Sequence, residues 1–219
     1  MKKGKTVPEI RTKNATGSYH VDLLDTPTLF AATEDIQSGL RLRYPELLRF
    51  LAGFRETAGL PVTELTFAPV AVGSRPAQHK FPAKLAELGI ICHVVDFRQL
   101  IPSAIGIYSQ KFQHLNFSSV APQICYLLGL LTTRQDTDII IVSGSFDFYV
   151  PLLDYVSRGG KATVCFFKRY LDERWKQTEV FNGRSDIRFL DLEPVAEMIL
   201  GIGLPLPSGL QLPSGLQRL

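Results

Sequence analysis

Carboxylates stand just after several predicted strands of this chain, in positions where they could share a metal ion. Asp25 ends the first predicted strand, Asp96 ends the third, and Asp147 follows the fourth within the turn SGSFD. In a parallel sheet, polar residues after the strands can meet at one crevice outside the carboxyl ends. Two or three carboxylates there could hold one hydrated Mg²⁺ or Mn²⁺, because these hard cations prefer oxygen ligands. Such an ion would orient a water molecule and neutralise charge on a phosphodiester during in-line attack.

Each carboxylate also has a purely local interpretation. An aspartate in the first turn of a helix, as predicted for Asp147, caps free N–H groups and favours the helix dipole. Asp25 precedes Thr-Pro, where aspartate readily forms an Asx turn. Asp96 can join the site only if the third strand runs beside the first. Asp22 lies earlier on the first strand and is expected to point away from its tip.

The elements that must position these residues alternate between strand and helix. The sequence predicts strands at residues 19–24, 62–72, 90–95, 138–142, 162–167 and 187–190. It predicts helices at residues 45–58, 81–88, 118–131, 148–157 and 171–177, and a short one after Pro194. Apolar strands that alternate with helices favour a parallel sheet covered on both faces. The predicted fold is therefore α/β, with three layers around a mostly parallel sheet of about five or six strands.

The two ends of the chain differ in composition from its centre. Residues 1–17 are polar and basic without periodicity, which predicts a flexible basic arm. Residues 204–219 contain LPSGLQ at 206–211 and again at 212–217, with Pro and Gly that helices and central strands do not tolerate. They are predicted to form an extended tail, and the alternative is a peptide ligand for another protein. One domain is expected over residues 18–203.

Charge and hydropathy narrow the class of protein. The formal net charge is +3, which permits contact with a phosphate backbone without requiring it. No apolar run reaches the roughly 18 residues needed to cross a bilayer, and no apolar segment follows the charged start. The cysteines lack the spacing of a zinc site or a disulfide framework. We therefore expect a soluble cytoplasmic protein without membrane contact.

Basic residues recur in two places. Four arginines around one predicted helix are expected to form a solvated face: Arg41, Arg43, Arg49 and Arg55. After the fifth strand, Lys168, Arg169 and Arg174 stand beside Tyr170 and Trp175. Cations and aromatic rings together suit single-stranded RNA, through phosphate contact and base stacking. The alternative is an amphipathic helix with a solvated basic face and an aromatic anchor.

One segment resembles a known family. Residues 139–167 read IIIVSGSFDFYVPLLDYVSRGGKATVCFF. They resemble the NYN branch of the PIN-like ribonuclease fold, in which a strand runs into S-G-D-S-D-F, then a helix that begins P-L and ends near a Gly, then a strand. The matching residues are Ser143, Gly144, Asp147, Phe148, Pro151, Leu152 and Gly160. The opening VDLLDTPTLF and the closing SDIRFLDLEPV also resemble the family, so the similarity extends over residues 18–200.

The resemblance implies a ribonuclease site in which some acids are replaced. Family members are Mg²⁺- or Mn²⁺-dependent ribonucleases with acidic residues around the metal. Asp25 matches the first family acid, and Asp147 matches the second acid of the turn. Small polar residues take other family site positions: Ser145 at the first acid of the turn, Ser118 or Ser119 at the acid that opens the preceding helix, and Thr28 at an Asn. These replacements remove charge and ligands from a metal site and leave a hydrogen-bonding cleft.

Three functions follow from these observations. In the first, the domain binds single-stranded RNA or a partner protein without cleaving it. A protein partner would use the tails or the apolar helix 118–131. Alternatively, Asp25 and Asp147, with Asp96 or a water completing the shell, hold one Mg²⁺ or Mn²⁺ in an endoribonuclease. In the third interpretation the chain is an unrelated α/β protein, and SGSFDF is only a tight strand-to-helix connection.

Overall fold

A six-stranded parallel sheet forms the centre of the molecule. The computed structural model describes residues 20–72, 76–96, 120–131, 137–180 and 186–201. The strands are β1 (His20–Leu24), β2 (Leu65–Val72), β3 (Ile91–Asp96), β4 (Asp138–Val142), β5 (Lys161–Phe166) and β6 (Ile187–Asp191). Their order is β3-β2-β1-β4-β5-β6, and every neighbouring pair is parallel. The predicted α/β class and the parallel sheet are confirmed.

Helices cover the sheet. They are α1 (Thr26–Ile36), α2 (Tyr44–Thr57), α3 (Pro76–Glu87), α4 (Ala121–Leu131), α5 (Tyr149–Ser157), α6 (Glu173–Lys176) and α7 (Ala196–Leu200). Short 3-10 turns occur at Phe146–Phe148, Lys168–Tyr170 and Glu193–Val195. From β1 the strands advance toward one edge, and from β4 they advance toward the other, so right-handed crossovers place their helices on opposite faces. In agreement, α2 packs against α7, and α4 packs against α5.

The two central strands are buried along their whole length. All five residues of β1 and all five of β4 are buried, including the run Ile139, Ile140, Ile141 and Val142. Burial on both faces explains why these strands read as apolar runs rather than as alternating patterns. Since β1 and β4 are rigidly held by the core, the residues that follow them have fixed positions.

Helix α1 was not predicted from the sequence. It begins directly after Asp25, whose side chain caps it by accepting a hydrogen bond from the N–H of Thr28 at 3.4 Å, and Pro27 lies in its first turn. Three threonines weaken its helix propensity, because β-branched side chains lose freedom in a helix. The cap and the burial of Leu29 against the core compensate for the weak propensity. Asp25 is therefore a helix cap at a strand end.

Helix α3 begins earlier than the predicted start at residue 81. It starts at Pro76 and contains Pro82 in its interior. The sequence prediction began near Pro82 because proline is favoured in a first turn and disfavoured further along a helix. The remaining elements differ from their predicted bounds by a few residues, which is ordinary at element ends.

Arg55 corrects the expectation of a solvated arginine face. Its side chain is 1% exposed, and its guanidinium contacts the carboxylates of Asp22 at 2.7 Å and Asp138 at 3.2 Å. The hydroxyl of Thr63 donates to the second oxygen of Asp22 at 2.9 Å. Burial raises the pKa of Asp22, while Arg55 and Thr63 oppose that rise. This buried ion cluster fastens α2 to β1 and β4, the strands that lead to the candidate site.

Candidate functional site

The candidate site lies where the direction of the strand order changes. β1 and β4 are neighbours, with Leu24 paired to Val142, although their connections leave toward opposite edges of the sheet. A crevice outside the carboxyl ends forms at such a point in open parallel sheets. Asp25 follows β1, and residues 143–147 follow β4. The structure thus brings together the sequence-predicted residues Asp25 and Asp147.

Serine hydroxyls connect the two carboxylates. Ser143 Oγ donates to Asp25 Oδ2 at 2.6 Å and accepts from the backbone N–H of Ser145 at 3.0 Å. Ser145 Oγ donates to Asp147 Oδ2 at 2.8 Å and accepts from the backbone N–H of Asp147 at 3.2 Å. We call this arrangement of Asp25, Ser143, Ser145 and Asp147 the hydroxyl chain.

Asp25 is the deepest member of the hydroxyl chain. It is 0% exposed, and its Oδ1 accepts from the Thr28 N–H while its Oδ2 accepts from Ser143. Thr28 Oγ1 donates to the Asp25 carbonyl at 3.3 Å and lies 3.5 Å from Ser143 Oγ. Both oxygens of the carboxylate are therefore engaged by donors of the protein. A cation that binds Asp25 must compete with the short bond from Ser143.

Asp147 lies nearer the surface than Asp25. It is half-buried in the Phe146–Phe148 turn, which Ser145 caps. α4 packs against this turn, and burial raises the pKa of its Cys125 thiol, with a further contribution from the charge of Asp147. Burial likewise raises the pKa of Tyr44, with further contributions from Cys92 and Asp25.

The structure does not bring Asp96 alongside Asp25. β2 separates β3 from β1, and Asp96 pairs in register with Val72. With neighbouring strands about 4.8 Å apart, the backbone of Asp96 lies roughly 10 Å across the sheet from the line of β1. Ser119, the other predicted site position, lies outside the described residues. Sheet order is a long-range property, which is why the sequence left the place of Asp96 open.

The hydroxyl chain offers few charged ligands to a metal ion. Within the described ranges, no group of three or more His, Cys, Asp or Glu side chains is arranged to hold one. The hydroxyl chain offers two carboxylates, of which Asp25 is fully buried, together with neutral hydroxyls. Mg²⁺ in proteins is usually held by one or two carboxylates and several waters in a near-octahedral shell, and Ser143 would have to release Asp25 for that carboxylate to join such a shell.

Three cationic side chains lie at the surface after β5, at the carboxyl end of the sheet. We call Lys168, Arg169 and Arg174 the rim. Lys168 is exposed, and its backbone N–H donates to Asp191 at 3.3 Å. The side chain of Arg169 is 58% exposed, and its guanidinium contacts Glu193 at 3.0 Å. Arg174, 43% exposed, forms an ion pair with Asp172 at 2.7 Å. The predicted basic residues are thus at the surface, and two of the three carry a carboxylate partner.

Phe146 and Tyr149 form an aromatic wall that the sequence did not single out. Their rings stack with centroids 4.9 Å apart, and the Arg174 guanidinium lies 4.8 Å from the centroid of Phe146. Trp175 contacts both rings edge-on but is 1% exposed, and its Nε1–H donates to the carbonyl of Ser145 at 3.0 Å. Trp175 therefore fits the alternative interpretation of an aromatic anchor, because its burial leaves no ring face free for base stacking. The half-buried rings of Phe146 and Tyr149 are the accessible ones.

Comparisons with known proteins bear on the fold. No protein-family model matches the sequence, and no curated protein matches it. A protein of unknown function from Vibrio parahaemolyticus, known from its crystal structure, has a similar fold with a TM-score of 0.56. The two share 15% sequence identity, and the similarity covers 83% of this chain and 96% of that chain. At this identity the likeness concerns the fold alone.

In the described ranges, no helix is long and apolar enough to cross a membrane.

Proposed function

We propose that this domain binds single-stranded RNA at the crevice between β1 and β4 and does not cut it, as an NYN-like domain with a reduced acidic site. The observation that carries the proposal is the hydroxyl chain. Ser145, at a position where the family has an acid, donates to Asp147, and Ser143 donates to Asp25. The two carboxylates are thereby committed to hydrogen bonds within the protein.

The rim supports RNA as the ligand. Arg174 exposes its guanidinium beside the ring of Phe146, and Lys168 and Arg169 expose cationic groups in the turn that follows β5. Cations contact phosphates, and aromatic faces stack on any base, so this mixture binds single strands with little sequence preference. The carboxylate partners of Arg169 and Arg174 reduce the net positive charge of the rim. Affinity should accordingly be modest and should fall with added salt.

A charge-neutralised rim tests this proposal. We expect Lys168→Gln with Arg169→Gln to weaken binding of a labelled single-stranded RNA, measured by fluorescence anisotropy. The slope of log affinity against log salt should become shallower by about 1 for each phosphate contact removed. Arg158→Gln is the matched control, because Arg158 is also exposed and paired with one carboxylate, Asp154, but belongs to the far end of α5. Equal losses in both variants would contradict a binding site at the rim.

A second candidate is a one-metal endoribonuclease that uses Asp25 and Asp147. It is favoured by the position of both carboxylates at the carboxyl ends of two adjacent strands. The test is cleavage of labelled single-stranded RNA in Mn²⁺ by the wild type and by an Asp25→Asn, Asp147→Asn double variant. Metal-dependent cutting that the double variant lacks would establish this candidate in place of the first. Intact RNA that is still bound supports the binding function.

A further inference from the structure

A cavity lies at the amino end of the sheet, at the other end from the crevice that contains the hydroxyl chain. It has a volume of about 460 Å³ and is lined by Val156, Gly159, Gly160, Lys161, Asp186 and Arg188. Lys161 begins β5 and Asp186 directly precedes β6, which fixes the cavity at this end of the sheet. Cavities of this size with a few convergent polar groups are typical of sites for small molecules.

The register of the sheet brings the cations of the cavity to one face. Thr163 on β5 pairs with Arg188 on β6, and alternate residues of a strand share a face, so Lys161, Thr163 and Arg188 project from the same side. Arg188 Nη2 lies 3.4 Å from Asp138 Oδ2 on β4, although β5 separates these two strands. Since Asp138 pairs in register with Lys161, it shares this face as well. The side chain of Arg188 therefore crosses over β5 beside Lys161 and Thr163.

Both cations of the cavity are accessible to a ligand. Lys161 is exposed, and the side chain of Arg188 is 41% exposed. The contact between Arg188 and Asp138 is long at 3.4 Å, and Asp138 has a second cation, Arg55, at 3.2 Å. Arg188 can therefore turn toward the cavity without leaving Asp138 unpaired. Arginine binds phosphate through its planar fork of donors, and lysine binds it as a compact charge.

Thr163 supplies an independent observation. It is 0% exposed, and its Oγ1 has no hydrogen-bond partner among the described residues. Buried hydroxyls are nearly always hydrogen-bonded, because an unpartnered one loses its bonds to water without replacement. Other unpartnered buried atoms toward this end of the sheet belong to His20, Arg55 and Thr137. Since Thr163 adjoins Arg188 in register, an anionic oxygen held by Arg188 can accept a hydrogen bond from the Thr163 hydroxyl.

We propose that this cavity binds a small molecule that carries one phosphate and several hydroxyl groups, such as a polyol phosphate or a sugar phosphate. Arg188 turns from Asp138 to the phosphate, Lys161 contacts the phosphate as a second cation, and the Thr163 hydroxyl donates to it. The Asp186 carboxylate in the lining accepts hydrogen bonds from ligand hydroxyls and disfavours a second phosphate by repulsion. Because the cavity lies at the opposite end of the sheet from the crevice, the inference does not rest on RNA binding.

Isothermal titration calorimetry of the full chain with glycerol phosphate tests the site, with glycerol as the probe that lacks the phosphate. The wild type should bind glycerol phosphate saturably and should not bind glycerol. Lys161→Gln should weaken binding by about tenfold, because it removes a charged donor to the phosphate. Lys84→Gln is the matched control, since Lys84 is also exposed but belongs to α3. Arg188 is left unchanged in this test because it also contacts the buried Asp138.

Thr163→Val tests the buried hydroxyl with a variant that keeps the fold, because valine has a similar shape and Thr163 Oγ1 has no partner to lose. It should weaken binding of glycerol phosphate by roughly threefold to tenfold, as expected for one hydrogen bond. Absence of binding by the wild type at millimolar glycerol phosphate would overturn the inference. So would equal affinities of the Lys161→Gln and Lys84→Gln variants, or unchanged affinity in Thr163→Val.

Discussion

Ser145 holds the position that decides the chemistry of the crevice. Its hydroxyl joins the turn after β4 to Asp147, where the family resemblance expects a carboxylate. The strand-end rule was sufficient to select Asp25 and Asp147 from the sequence, since both follow apolar runs directly. The rule could not select Ser143, because the bond between its hydroxyl and Asp25 joins residues that are 118 positions apart. Phe146 and Tyr149 were missed for a similar reason, as their stacking depends on how the turn meets α5.

Restoring an acid at Ser145 should restore affinity for a metal ion. We expect Ser145→Asp to place a second carboxylate beside Asp147, which costs stability through like-charge repulsion unless a cation binds. Added Mn²⁺ should therefore raise the melting temperature of this variant and leave that of the wild type unchanged. Ser157→Asp, at an exposed position at the end of α5, is the control and should not respond to Mn²⁺. Absence of any response in Ser145→Asp would argue against a crevice of metal-site ancestry.

The Asp172 carboxylate should make stability depend on pH in the acid range. Burial alone would raise its pKa, but hydrogen bonds and charge from Arg174 lower it below the ordinary value of 3.8. The folded state therefore favours ionised Asp172, and its contribution is present above pH 3.8 and is lost as pH falls below that value. Because Arg174 is partly exposed, we expect a contribution of about 1 kcal/mol. In urea unfolding, the advantage of the wild type over Asp172→Asn should shrink on acidification, and a constant difference would contradict it.

At the scale of elements, α2 shows where sequence periodicity misleads. Its leucines predicted the buried side of the helix, and Leu47 and Leu51 are indeed fully buried. Arginine is rarely buried unless it is paired, so the sequence favoured exposure for Arg55. Its partners Asp22 and Asp138 lie on two different strands, and no local pattern indicates that they converge. α1 was not predicted because its threonines have low helix propensity, and the sequence alone did not show that Asp25 caps a helix there.

Removing the Arg55 guanidinium should destabilise the domain strongly. We expect Arg55→Met to lower the free energy of unfolding by about 3–5 kcal/mol, because buried Asp22 loses its cation and Asp138 keeps only Arg188, whose guanidinium lies 3.4 Å away. Chemical denaturation measures the change. Arg49→Met removes an exposed arginine from the same helix and should change stability by less than about 0.5 kcal/mol. Similar effects of the two substitutions would show that the buried ion cluster does not hold α2 on the sheet.

At the scale of the whole molecule, the sheet order determines which predicted residues can cooperate. Alternating apolar strands and helices were enough to predict a parallel α/β sheet. They did not specify that β4 lies beside β1 or that β2 separates β3 from it. That order brings Asp25 and Asp147 to one crevice and sets Asp96 apart. The same order directs the rim cations of Lys168 and Arg169 to the carboxyl side of β5, beside the crevice.

The most direct test is a single titration of labelled single-stranded RNA with the wild-type protein in Mn²⁺, read for both anisotropy and RNA integrity. The proposed function predicts saturable binding that weakens with salt, while the RNA stays intact throughout. Cleavage that depends on Mn²⁺, Asp25 and Asp147 would contradict the proposal that the hydroxyl chain has replaced a working metal site. Absence of binding at low salt would contradict RNA as the ligand.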